Sequence, residues 1–128
     1  MLNILHISDI HFGPPYHPEV GEALLKFAHE TRVDVIVASG DFTQRAREEQ
    51  FRDARGFLDR LPSVPIVVTP GNHDVPLYRV GERLADPYRY YRKYISQELD
   101  TVTRLPGAVI VSLNSTAPHM AITNGRIH

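Results

Sequence analysis

Six residues in three short stretches carry the chemistry open to this sequence. "SDIH" holds Asp9 and His11, "SGDF" holds Asp41, and "PGNHD" holds Asn72, His73 and Asp74. Carboxylate, amide and imidazole groups are oxygen and nitrogen ligands, suited to Mn, Fe, Zn or Mg rather than to soft metals. Asp-x-His on an extended segment puts both side chains on one side, because successive side chains alternate. A carboxylate has two oxygens, so Asp41 can bridge two cations. Two cations about 3.5–4 Å apart clamp the attacking and leaving oxygens of a phosphoryl transfer. Gly40 and Gly71 would let the backbone turn sharply and come close to such a centre. Each stretch alone is ordinary, since Gly, Asn and Asp are turn formers. A turn has no use for the histidines, and the recurrence asks for one common cause.

That cause lies in the elements before each stretch. "ILHIS" (4–8), "VDVIVAS" (33–39) and "VPIVVT" (64–69) are short apolar runs, and "AVIVSL" (108–113) is a fourth. They are rich in Val and Ile and bounded by Gly, Pro, Asp or Asn, as buried strands of a parallel sheet are. Between them apolar residues recur at helical spacing: Val20, Leu24, Phe27 and Ala28; then Phe51, Ala54, Leu58 and Leu61, with Thr43 as the expected N-cap; then Tyr88, Tyr91, Ile95 and Leu99. The order β-α-β-α-β-α-β predicts an α/β fold, a mostly parallel sheet with flanking helices and right-handed crossovers. Ligands of such sheets bind beyond the carboxyl ends of the strands. Asp9, His11, Asp41, Asn72 and His73 all fall there.

"HISDIHFG", "VIVASGDFTQRAR" and "VVTPGNHDVPLY" together resemble the calcineurin-like metallophosphoesterase superfamily, in particular its bacterial members related to cyclic-nucleotide phosphodiesterases. The resemblance covers essentially the whole chain. It implies hydrolysis of phosphate esters, above all phosphodiesters, by a hydroxide bridging two divalent metal ions. Asp9 and His11 would bind the first ion, Asp41 would bridge, and Asn72 would bind the second. His73 would give a proton near the leaving group, and Asp74 would orient its ring. The family's domain is a four-layer α/β/β/α sandwich, and its pattern adds later histidines, including a Gly-His-x-His motif. After the fourth run this sequence has only His119 and His128, in what reads as a loop. Residues 1–128 are therefore expected to be the N-terminal part of the domain, with the remaining histidine ligands absent. An apolar sheet face would be left uncovered, so self-association, or a partner supplying the other part, is expected. The competing readings are a non-catalytic metal-binding scaffold and a nuclease of the same superfamily.

Composition narrows the classes. The 128 residues suffice for one domain with a core, at 42% hydrophobic and 23% charged. Fourteen basic against 15 acidic residues, a net charge of -1, argue against a nucleic-acid partner and leave a small phosphate ester as the expected one. There is no cysteine, which excludes disulfides and thiolate metal sites. The N-terminus carries no signal-peptide pattern and no apolar run is long enough to span a membrane, so a cytoplasmic protein is expected. His6 is expected in the interior or behind the ligands, and His29 on the surface. His17 is expected in a proline-rich loop, more often a plain loop histidine than a substrate contact. Asn114 is a candidate for the cleft because it follows the fourth run.

Overall fold

The computed structural model describes residues 1–121 and 124–127. The first three apolar runs form β1 (Ile4–Ile7), β2 (Val35–Ser39) and β3 (Ile66–Thr69), joined in a parallel sheet of order β1-β2-β3. Ile4 pairs with Val35, and Ile36 with Ile66. The central strand is the most buried, with Val35 and Ile36 at 0% exposure.

Helix α1 (Pro18–Glu30) connects β1 to β2, and α2 (Glu48–Asp59) connects β2 to β3. Pro18 opens α1, where its missing N–H costs nothing. Thr31 closes the helix in an extended conformation. Phe51, Ala54, Leu58 and Leu61 face the core, as their spacing requires, and Phe57 joins them. Full burial of one such large side chain stabilises by about 1.5–3 kcal/mol. On α1 the buried face is Gly21, Leu25 and Ala28, whereas Val20 and Phe27 are 64% and 53% exposed. Ala28 is buried and Leu24 packs against the core as expected, but Val20 and Phe27 are not on the buried face, because 21-25-28 and 20-24-27 are equally helical spacings.

Helix α2 does not start at Thr43. Arg47 precedes it, and Gln50 Oε1 accepts the N–H groups of Arg47 (3.4 Å) and Arg45 (2.8 Å). The third helical stripe is also broken. After a single 3₁₀ turn, η1 (Asn72–Asp74), come two short helices, α3 (Val80–Ala85) and α4 (Arg89–Tyr94), separated by Asp86, Pro87 and Tyr88. Tyr88 and Tyr91 are buried as expected, while Ile95 and Leu99 pack against the core from beyond the helix end.

The fourth apolar run is not a crossover-connected parallel strand. It forms β5 (Ala108–Ser112), antiparallel to β4 (Thr101–Leu105), through a turn at Pro106–Gly107 with Gly107 at φ +81°. A two-residue link makes a hairpin and cannot make a crossover. The hairpin abuts the sheet's edge: the Ser112 hydroxyl donates to Val68 O (3.0 Å) and the Thr69 hydroxyl to Leu113 O (3.3 Å). The class remains α/β, with a mainly parallel sheet and flanking helices. Among the described residues no helix is long and apolar enough to cross a membrane.

Candidate metal centre

The ends of β1 and β2 are bent by left-handed residues. Asp9, His11 and Asp41 have φ of +56°, +54° and +53°. Such angles are uncommon outside glycine, and Asp and His are among the residues that tolerate them. Asp9 and His11 thus do not share a side through strand alternation. They converge because both residues flanking Ile10 are turned back. The strain is offset by a zipper of backbone bonds beyond the sheet: Asp9 N–H to Gly40 O (3.2 Å), His11 N–H to Asp41 O (2.9 Å) and Phe12 N–H to Phe42 O (2.8 Å).

Glycine supplies the close approach. Gly40 has φ +76°, and a Cβ there would lie 2.9 Å from Gly71 Cα. A Cβ on Gly71 would overlap Asp41 Oδ1. The two loops can therefore touch only with glycine at both positions.

Five of the expected residues come together. His11 Nε2 lies 3.7 Å from Asp9 Oδ1 and 3.8 Å from Asp41 Oδ2. These gaps are too long for hydrogen bonds. Ligand atoms that each stand about 2.0–2.2 Å from one cation can be this far apart. His11, Asp41 and His73 each offer a ligand atom within 4.8 Å of the others. The two rings meet edge to face, with centroids 4.7 Å apart. Asp9, Asp41 and Asn72 line one cavity of about 570 Å³. A donor set of two carboxylates, two imidazoles and an amide fits divalent cations of the Mn, Fe, Zn or Mg kind. Among the described residues His11 Nδ1 is buried without a hydrogen-bond partner, and the ring packs edge to face against His73.

His73 is held at two points. Its N–H donates to Asp41 Oδ1 (2.9 Å), and its Nδ1 lies 3.0 Å from Gln44 O. A carbonyl only accepts, so Nδ1 carries the proton and Nε2 remains the atom that takes or gives one.

Asp74 does not orient that ring. Its carboxylate turns inward and is 1% exposed. Oδ1 accepts from Thr43 N–H (2.9 Å) and the Thr43 hydroxyl (3.1 Å), and Oδ2 from Phe42 N–H (3.2 Å) and Gly71 N–H (2.9 Å). Asp74 thus ties the loop after β2 to the loop after β3, while the Gln44 carbonyl takes the role expected of it. The 3₁₀ turn is the reason: it sends consecutive side chains in different directions. Burial pushes the Asp74 carboxyl up to about 6, and the backbone N–H bonds from Gly71, Thr43 and Phe42 oppose a larger rise. Thr43, expected as a helix cap, is buried in this network, and its hydroxyl also accepts Ala46 N–H (3.0 Å).

The remaining histidines are elsewhere. His6 is exposed rather than interior, and its Nε2 meets Ser39 Oγ at 2.6 Å; Ser39 lines the cavity. His29 meets Arg60 O at 2.8 Å, across the ends of α1 and α2. His17 pairs with Glu19 at 3.1 Å. His119 is exposed, and His128 lies outside the described residues.

Ser115, Thr116, Asn124 and Gly125 also line the cavity, and no sequence motif identifies them. Asn114 turns away: its Nδ2 donates to the Tyr88 hydroxyl (3.1 Å), and its Oδ1 accepts Thr116 N–H (3.0 Å) and the Thr116 hydroxyl (2.7 Å). The only signal for these residues was their position just after β5.

The family model of the calcineurin-like phosphoesterases matches residues 2–126. A glycerophosphodiester phosphodiesterase, GpdQ of Enterobacter lignolyticus (strain SCF1), is 32% identical to the chain over 81 residues. The match takes in 56% of this chain and 29% of that relative, so the chain spans less than a third of the relative's length.

Proposed function

The chain belongs to the calcineurin-like phosphoesterase family, and from that premise we propose that its centre holds two divalent cations and hydrolyses a small phosphodiester. The observation that carries this is the convergence of His11, Asp41 and His73 within 4.8 Å beyond the ends of three parallel strands. Asp9 and His11 would hold one ion, Asp41 would serve both, and Asn72 would hold the second through its amide oxygen. Divalent ions bound there supply charge stabilisation for the phosphoryl group and lower the pKa of water.

The chain's own residues do the rest. Asp41 uses Oδ1 to fix the His73 backbone while Oδ2 faces His11. His73 is oriented by the Gln44 carbonyl, and its Nε2 passes a proton to the departing ester oxygen. The Asp74 bonds hold both loops at the distance this requires.

The substrate class in GpdQ's name makes glycerophosphodiesters candidates here, beside cyclic nucleotides. Since the match covers 29% of that relative, turnover is proposed for a domain in which further ligands reach the same cavity. Residues 1–128 would be its N-terminal part. Elemental analysis after Mn²⁺ loading and desalting tests the centre. Bound Mn²⁺ that is lost in Asp41→Ala is expected. Unchanged metal content in Asp41→Ala would reject Asp41 as the shared ligand.

A further inference from the structure

A second cavity also borders Asp9, and His11 with it. It measures about 400 Å³ and runs between the loop after β1 and the first turns of α1. Asp9 and His11 line it together with Ile10, Tyr16, Val20 and Leu24. For comparison, an apolar cavity of about 150 Å³ already holds a benzene ring.

Its sides are set before any ligand arrives. Tyr16 stacks on the buried Phe12, with ring centroids 4.5 Å apart. The Tyr16 hydroxyl lies against α1 at Gly21, where a Cβ would overlap it. His17 also lines the groove and is engaged with Glu19 at 3.1 Å; Ser8 and Gln44 add polar atoms to a lining that is otherwise mainly apolar. The groove also gives Val20 a role. At 64% exposure it lies outside the core, yet it lines this space.

We propose that this groove receives the apolar substituent of the phosphoester, an aryl or alkyl group carried on one ester oxygen, while the phosphoryl group sits at the metal centre. The inference rests on the metal-centre reading and adds to it the class of substituent. Continuity is what carries it, because the groove is lined by the same two residues, Asp9 and His11, that begin the centre. A charged substituent laid against Ile10, Val20 and Leu24 would lose hydration that these side chains do not replace.

Phenylphosphonate and methylphosphonate share a head group and differ in this substituent, so titration calorimetry of the Mn²⁺-loaded chain with both tests the idea. Phenylphosphonate is expected to bind about tenfold tighter, which corresponds to removing roughly 60 Å² of apolar surface from water. Val20→Asn makes one side polar, and Val20→Trp fills the space without adding a charge. Both variants should erase the preference and leave methylphosphonate affinity unchanged. Position 20 lies on an exposed part of the first helical turn, so both should fold, and circular dichroism verifies it. Equal affinity of the two probes, or a preference that survives both variants, would overturn the groove while leaving the metal centre standing. Binding of neither probe with Mn²⁺ present would overturn the metal-centre reading and this inference with it.

Discussion

Asp41 meets two demands, fixing the backbone of His73 with Oδ1 and facing His11 with Oδ2. Asp41→Ala should therefore release the His73 loop as well as the metal, and the Mn²⁺ content of the desalted chain should fall to background. His73 behaves differently, because only its backbone contacts Asp41. In a form of the protein that turns over substrate, His73→Ala should reduce turnover by about 10²-fold or more while keeping most of the metal. Equal loss of metal and turnover would make His73 a ligand rather than the acid. Asp74 is buried, and its folded pKa of about 6 lies above the ordinary 3.8. The native metal-free chain therefore holds that proton more tightly than the unfolded chain. The stability linked to it is fully present below pH 3.8 and is lost as pH rises through about 6. Asp74→Asn would set an amide N–H₂ against donors already in place and should cost about 1–3 kcal/mol. Urea midpoints with chelator present should show the gap between parent and variant narrowing from pH 4 to pH 7. A gap independent of pH would mean that Asp74 does not titrate in this range.

At the scale of elements, the centre is a contact between two loops rather than a feature of any strand. Gly71→Ala forces a Cβ into Asp41 Oδ1, so the β3 loop must retreat. Overpacking of this kind costs about 1–3 kcal/mol. Mn²⁺ affinity should fall at least about tenfold, as it does when the groups orienting a ligand are displaced. Wild-type affinity in this variant would show that the loops have slack. Behind the cavity, the Tyr88 hydroxyl meets Thr116 Oγ1 at 2.5 Å and ties α4 to the loop after β5. Tyr88→Phe should lower stability by about 1 kcal/mol, since it strips a partner from Thr116 and Asn114. Thermal unfolding would measure it.

Across the whole molecule, apolar surface is distributed unevenly. The outer face of the hairpin presents Val102, Val109 and Val111 at 54–58% exposure, and Ile4 on β1 is 52% exposed. Contiguous apolar patches of this kind mark surfaces that other structure covers. The isolated chain should bind a hydrophobic dye and sediment above its monomer mass. Val102→Thr with Val111→Thr, a facing pair in the register, should reduce both effects while keeping strand propensity. A monomer without dye binding would show that the patch is tolerated as it stands. The expectation of an uncovered face came from the sequence, but its principal location did not. It was assigned to the single sheet, whereas Val35 and Val67 on that sheet are buried and the exposed valines lie on the hairpin.

The sequence alone determined the parallel β-α-β-α-β frame and the positions of Asp9, His11, Asp41, Asn72 and His73 at strand ends. Both depend on local regularities: apolar runs of strand length, helical spacing, and glycine beside an unusual cluster of ligand types. The tertiary structure decided what local pattern leaves open. Strand β4 has only two apolar residues, Val102 and Leu105, out of step with strict alternation, and shows itself only when paired with β5. The α1 face was ambiguous because two stripes have the same period. The partner of His73 is the Gln44 backbone carbonyl, a group that every residue carries and no sequence marks. Asp74 stands next to His73 in sequence, yet the 3₁₀ turn points its carboxylate into the core. Spacing reports which groups are near in the chain. Their directions depend on backbone angles, such as the left-handed turns at Asp9, His11 and Asp41, and these are fixed only when the loops bond to one another.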